Sequence, residues 1–141
     1  MISSRRAGRD SLLFVYGTLR PFVDIPMARW LRGAACYVGP ATARGRLYDL
    51  GPYPGLCAAR GRGELVIGDV YRVSRPGIFR ALDRYERGAR GKARFVRDRC
   101  VVRFARGARK AAWVYRYCYA VVSAARISSG DYRVHCRARA R

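Results

Sequence analysis

Acidic residues are scarce in this chain. Nine Asp and Glu stand against 30 Lys and Arg, giving a formal net charge of +21, and only two of the nine are glutamates, Glu64 and Glu86. Lysine is confined to Lys92 and Lys110, and histidine to His135. No stretch approaches the ~18–20 consecutive apolar residues of a membrane span, so no membrane partner is expected. The five cysteines (Cys36, Cys57, Cys100, Cys118 and Cys136) are odd in number and contain no C-x-x-C pair. With a single imidazole, that spacing argues against a structural metal site. Nothing local supports a cysteine nucleophile working with His135. Cys36, Cys57, Cys100 and Cys118 lie in apolar or strand-like surroundings, so they are expected as buried thiols in a cytoplasmic protein.

What is abundant is arginine, with alanine and glycine. Strong positive charge first suggests nucleic acid. The arginines, however, run along the whole chain rather than in one block, and an Arg/Ala/Gly excess with little Lys is what a GC-rich coding sequence yields. Composition therefore argues against a nucleic-acid partner. Half of the residues are hydrophobic, enough for the core of one ordinary domain. The segment Met1 to Asp10 is basic and lacks the apolar run and small-residue cleavage site of a secretory signal. It is Arg- and Ser-rich like a mitochondrial presequence, but shorter than most.

The organisation expected is a basic flexible tail over 1–11, a domain over 12–133 and a basic C-terminal tail over 134–141. Leu12 to Tyr16 is a buried-strand run ended by Gly17. A short helix is expected over Ile25 to Leu31, a strand over Arg44 to Leu50, and a turn at Gly51-Pro52-Tyr53-Pro54-Gly55. Glu64 to Val73 reads as a strand in which Gly68 marks a bulge or bend. Phe95–Phe104 and Ala111–Val122 read as long strands joined at Gly107, followed by an irregular segment. Strands, one to three short helices and many glycine turns point to an α+β fold whose sheet curves strongly or closes into a small mixed barrel. Trp30 and Trp113 are expected in the core, and Glu64 in solvent at a strand start.

Between the two halves lies Pro76 to Glu86, a helix opened by its proline. At about 100° per residue, Ile78, Phe79, Ala81, Leu82 and Tyr85 share one face while Arg80 and Arg84 face away. Glu86 falls on the apolar arc and Asp83 at its border. A carboxylate there is either paired, with Arg97 or another arginine, or at a cavity wall where it can move protons. Asp83 is expected as a hydrogen-bonding residue rather than a second acid. Arg87 to Arg94 brings three arginines and a lysine, charge that would favour the ionised acid.

The strand at 12–16 empties into Tyr16-Gly17-Thr18-Leu19-Arg20. A glycine there lets the chain turn and present backbone amides, an anion cradle. In order, this loop is followed by Gly45-Arg46-Leu47-Tyr48-Asp49-Leu50, Tyr53-Pro54-Gly55, Gly68-Asp69-Val70-Tyr71-Arg72-Val73 and Leu82-Asp83-Arg84-Tyr85-Glu86. Ala112-Trp113-Val114-Tyr115 and Ile127-Ser128-Ser129-Gly130-Asp131-Tyr132 complete the series. From about residue 12 to 133 the chain resembles the γ-glutamylcyclotransferase-like proteins, including the γ-glutamylamine cyclotransferase branch.

The resemblance implies a small mixed barrel with flanking helices. It further implies a cyclotransferase in which a γ-glutamyl amine or amino acid attacks its own γ-carbonyl through its α-amine, giving 5-oxoproline and a free amine. No cofactor and no metal are implied, and the partner is the small γ-glutamyl substrate. Glu86 would be the general acid/base. Tyr16, Gly17, Thr18 and Leu19 would hold the substrate, with Tyr48 and Tyr115 facing the pocket. The chain departs from the family pattern at Arg87, where a small residue is common, and at Phe95-Val96-Arg97, where Tyr-x-Arg is usual. A second reading is a non-catalytic binding module on the same fold, for RNA or another polyanion. It expects Glu86 locked in a salt bridge with no cavity beside it.

Overall fold

The computed structural model describes residues 11–87, 94–121 and 124–140. The basic segment before Ser11 and most of the Arg/Lys run at 88–93 lie outside the described residues. Eight strands and three helices occur in the order β1 (Ser11–Val15), α1 (Pro26–Ala34), β2 (Cys36–Arg44), β3 (Arg46–Asp49), β4 (Pro54–Cys57), β5 (Leu65–Val73). After these come α2 (Pro76–Arg87), β6 (Phe95–Phe104), β7 (Arg109–Tyr117), β8 (Ala125–Arg126) and α3 (Tyr132–Arg139).

Five strands close a barrel in the order β1-β5-β2-β6-β7. Its pairings are antiparallel except at the seam, where β1 runs parallel to β7 with Leu13 opposite Trp113. A separate three-stranded sheet, β4-β3-β8, stands beside it. This is the α+β mixed barrel with flanking helices that the sequence implies.

β1 shows why its run is apolar without alternation. Phe14 and Tyr16 belong to one core cluster with Val66, Val70, Val102 and Val114, whereas Leu13 and Val15 belong to a second with Ile78, Phe79 and Leu82. Both faces of the strand are buried, so neither can be polar. The second cluster seats α2 on the barrel, with Ile78, Phe79 and Leu82 buried and Arg80 and Arg84 exposed. Tyr85, on the same helical arc, is 41% exposed because it lies at the edge of that contact.

Several elements differ from the sequence-level expectation. β2 was not foreseen, since Gly39, Pro40 and two alanines, Ala41 and Ala43, have weak strand propensity. It forms because it is paired on both sides, by β5 and β6, and a bulge between Tyr37 and Gly39 absorbs the irregular stretch. The bulge is therefore in β2, and Gly68 serves another purpose. A Cβ on Gly68 would lie 2.3 Å from the Val15 carbonyl oxygen and 2.7 Å from the Phe14 ring, so the residue is glycine for close approach.

The C-terminal residues expected as an irregular basic tail instead form α3. Asp131 caps it by accepting from the amides of Arg133 and Val134. Tyr132 is buried, and His135 and Arg139 both reach the Asp49 carboxylate, at 2.7 and 3.1 Å. Trp30 is 40% exposed because only Ala28 and Leu31 of α1 are buried. Trp113 is half-buried beneath the guanidinium groups of Arg97 and Arg99. None of the five cysteines is fully buried, and Cys36 and Cys118 are exposed. Glu64 is not free in solvent: it accepts from Arg46 Nε at 2.7 Å and from the Arg60 and Gly61 amides.

Gly68→Ala should lower stability by about 1–3 kcal/mol, the usual cost of overpacking a filled core. Urea unfolding monitored by tryptophan fluorescence measures it. An unchanged midpoint would show that β1 and β5 tolerate a wider separation than their contact implies.

Candidate active site

Two chain ends meet at the rim where β1 and β7 run side by side. The first is the loop leaving β1. Tyr16 is 6% exposed and its hydroxyl is fully engaged: it donates to the Tyr115 carbonyl at 2.6 Å and accepts from the Leu56 amide at 3.1 Å. Burial, and next the charge of Glu86, push its phenol far above the ordinary tyrosine range, so it stays neutral. Gly17 follows, and a Cβ here would sit 2.5 Å from the Pro54 ring. The Tyr53-Pro54 turn thus packs directly on the loop, and this contact, rather than a positive φ, demands glycine.

Beyond it the chain turns, with the Arg20 amide donating to the Gly17 carbonyl at 3.0 Å. The intervening amides of Gly17, Thr18 and Leu19 donate to no backbone carbonyl among the described residues. Arg20 anchors the turn from below. Its guanidinium, 7% exposed with its residue, bonds Asp69 on β5 and the α3 cap Asp131, each at 2.9 Å. Three successive unclaimed amides on an anchored loop are the donor set of an anion cradle.

The second chain end is the last turn of α2. Asp83 accepts from Arg97 Nε and Nη2 at 3.0 and 3.1 Å and from the Tyr115 hydroxyl at 2.7 Å. Arg97 is also stacked on Phe79 and Trp113, 4.6 and 4.9 Å from the ring centroids. The arginine that might have neutralised Glu86 is thereby committed one helical turn earlier. Burial, then the Asp83 bond, push the Tyr115 phenol far up, which keeps it a donor. Glu86 itself has no ion pair or hydrogen bond among the described residues. Every other described carboxylate is in a salt bridge: Asp24, Asp49, Glu64, Asp69, Asp83, Asp98 and Asp131. Burial pushes the Glu86 carboxyl up to about 7.

Between the two lies a cavity of about 220 Å³. Tyr16, Gly17, Thr18, Leu19, Tyr85, Glu86 and Tyr115 all line it. The remaining lining includes Tyr53, Pro54, Phe95 and Arg94. Six of the seven residues expected at the site are therefore brought together: Glu86, Tyr16, Gly17, Thr18, Leu19 and Tyr115. Tyr48 is not among the lining residues. It is buried on β3, paired with Gly55 and Arg126 in the second sheet, because that strand belongs to the other layer.

Sequence reasoning missed Tyr53, Tyr85 and Arg94 as lining residues. Tyr53 and Pro54 stood in a segment legible only as a turn, and Tyr85 was assigned to the buried helix face. Arg94 ended a charge run with no motif of its own. Arg87, the departure beside the acid, is exposed and does not line the cavity. Burial is what shifts the Glu86 carboxyl. Among the described residues no group of three or more His, Cys, Asp or Glu is placed to hold a metal ion. No helix among them is long and apolar enough to cross a membrane.

The family model for gamma-glutamyl cyclotransferase, AIG2-like proteins matches residues 13–134. The chain belongs to this family. Curated proteins yield no match. Among solved structures of similar fold, YkqA from Bacillus subtilis is 25% identical with a TM-score of 0.73, over 94% of this chain and 43% of YkqA. The chain thus spans less than half the length of that relative. The protein ytfP from Escherichia coli is 29% identical with a TM-score of 0.60, over 86% of this chain and 95% of ytfP. An AIG2-like protein from Mus musculus shares the fold at 24% identity and a TM-score of 0.64, over 79% of this chain and 80% of the mouse protein. In this member of the family, the loop at 16–20 and the end of α2 are the two pieces that meet at the cavity.

Glu86 also leaves a mark on stability. Its folded-state pKa near 7 lies above the ordinary 4.5 of a glutamate, so its favourable contribution is complete below about pH 4.5 and is lost as pH rises through about 7. Glu86→Gln should therefore be more stable than the parent at pH 8, by on the order of 1–3 kcal/mol given its partial exposure. The difference should shrink towards pH 4. Paired denaturant titrations at the two pH values measure it, and a difference independent of pH would contradict the burial of the charge.

Proposed function

We propose that the protein cleaves a γ-glutamyl amine or γ-glutamyl amino acid by intramolecular cyclisation. The observation that carries this reading is Glu86: the one described carboxylate without a salt bridge, at a cavity also lined by Gly17, Thr18 and Leu19, whose amides donate to no backbone carbonyl among the described residues. A protein with so large an arginine excess pairs its other described acids, and an unpaired one facing a cavity is available for proton transfer.

In the reaction, the substrate's α-carboxylate lies on the amides of Gly17, Thr18 and Leu19, which also restrains the glutamyl chain in a folded, cyclising shape. Glu86, ionised, takes a proton from the α-ammonium. The freed amine attacks the γ-carbonyl carbon, forming the new C–N bond of the five-membered ring. The proton now on Glu86 passes to the departing nitrogen as the original γ C–N bond breaks, and Glu86 then takes the extra proton left on the ring nitrogen and hands it to the freed amine, which leaves as its ammonium ion. The products are 5-oxoproline and an amine, no water is consumed, and Glu86 returns to its starting state. A carboxyl with a pKa near 7 suits both halves of this cycle, because it gives up and accepts a proton at similar cost near neutral pH. Tyr16 and Tyr115 are neutral and bonded to protein groups, so they shape the wall rather than exchange protons.

The non-catalytic reading expects a Glu86 locked by an arginine, and the capture of Arg97 by Asp83 speaks against it.

The protein incubated with γ-glutamyl amines and γ-glutamyl amino acids should release 5-oxoproline, with kcat/KM rising with pH to a plateau through an apparent pKa near 7. Glu86→Gln should lower kcat by at least about 10²-fold, the usual span of general acid–base catalysis being 10²–10⁴. Turnover by that variant equal to the parent would sink the mechanism.

A further inference from the structure

The cavity has a second charged group, and no motif assigns it. Arg94 immediately precedes β6 and lines the same cavity as Glu86. These two are the charged lining residues among those described. The backbone at Arg94 is pinned, its carbonyl accepting from the Cys118 amide and thiol, each at 3.0 Å. Its side chain is held as well. Nη1 donates to the Tyr53 hydroxyl at 2.6 Å, and Tyr53 rests edge-on against Phe95 with centroids 5.5 Å apart. No carboxylate among the described residues pairs with Arg94. One of the five N–H donors of a guanidinium is thus spent on Tyr53, which fixes its direction, and a fork remains for an anion.

Barrel topology sets the distance. Phe95 pairs with Tyr117 of β7, and β7 lies parallel to β1, whose end carries Gly17. Arg94 and the amide cradle are therefore two strand spacings apart, about 10 Å. In a γ-glutamyl amino acid the two carboxylates are seven covalent bonds apart, about 7–9 Å when extended and a little less in the folded, cyclising shape. A side chain as long as arginine closes the remainder. With one carboxylate on the cradle, the other falls within reach of Arg94. The wall around it, Phe95, Pro54 and the Tyr53 ring, offers apolar surface to whatever side chain the departing amine carries.

We propose that Arg94, steadied by Tyr53, is a specificity-determining residue that binds a carboxylate on the leaving group, so that the preferred substrates are γ-glutamyl amino acids rather than γ-glutamyl derivatives of neutral amines. The inference rests on the cyclotransferase reading and deepens it by choosing between the two substrate classes. The carboxylate adds binding at the end of the substrate that does not react, and Arg94 takes no part in proton transfer.

The test uses γ-glutamylalanine and γ-glutamylethylamine, which differ by that carboxylate alone. The parent protein should prefer γ-glutamylalanine in kcat/KM by about tenfold or more, the scale of one charge-assisted hydrogen-bonded pair at a partly solvated rim. Arg94→Ala should bring the ratio close to one through KM, with kcat for γ-glutamylalanine largely kept, and Tyr53→Phe should give an intermediate ratio. A ratio that Arg94→Ala leaves unchanged overturns the proposal. So does an equal loss on both substrates, which would place Arg94 on the α-carboxylate they share. Calorimetric binding of both intact compounds to Glu86→Gln separates recognition from turnover. Tighter binding of γ-glutamylalanine that disappears in Glu86→Gln/Arg94→Ala supports the assignment, and equal binding overturns it. Release of 5-oxoproline from neither compound by the parent protein, with that binding difference intact, overturns the cyclotransferase reading and not the carboxylate site.

Discussion

The arrangement turns on where Arg97 goes. In a chain with 30 basic residues and nine acids, the default fate of a carboxylate is an ion pair. Asp83 meets that fate, taking Arg97 in a two-pronged contact and the Tyr115 hydroxyl as a third donor. The rings of Phe79 and Trp113 hold the guanidinium so that it cannot swing to Glu86, three residues on. Desolvation then acts on Glu86 without an opposing salt bridge among the described residues. Had Arg97 reached Glu86, the carboxyl would have been held ionised and would have been a poor proton donor.

The opposite wall depends on a comparable fixing. The loop after β1 spends only the Arg20 amide on its own turn and leaves three free, an arrangement that would be mobile if nothing held it. Arg20, buried between Asp69 and Asp131, ties it to β5 and to the start of α3. The Asp131 that receives Arg20 is also the cap that starts α3, so the C-terminal helix and the cradle are parts of one buried network. Buried charges of this kind contribute modestly to net stability, but removing one partner strands the others. The geometry of the cradle is thus coupled to whether the chain's last helix is docked.

Much of the fold could be read directly. The doubly buried β1, the helix opened by Pro76 and the hairpin around Gly107 follow from apolar periodicity and turn chemistry. β2 was illegible because Gly39, Pro40, Ala41 and Ala43 interrupt the strand signal of Tyr37, Val38 and Thr42, and pairing on both edges supplies what propensity does not. α3 was illegible because its apolar contacts are few and its ties are polar ones to Asp49, more than eighty residues away. Glycine stood out at position 17 as a turn and at position 68 as a bulge or bend, but the close approach that demands it at each was not visible. At both, a partner distant in sequence approaches the Cα, and spacing along the chain holds no trace of that partner.

At the site the division is sharper. An acid on the apolar side of a short helix and a glycine loop after a buried strand are visible in the residues, and their order along the chain matches the family. Sequence by itself determined which groups are the candidates for the chemistry, since residue type and helical phase single out Glu86 and the loop amides. Only the tertiary structure decided that Glu86 has no salt bridge among the described residues, because how β6 and β7 pack against α2 gives Arg97 to Asp83. It also placed Tyr48 in another layer and brought Tyr53 and Arg94 to the cavity, through strand neighbours far apart in the chain. Local pattern fixes the phase of a side chain, and long-range packing fixes its partner.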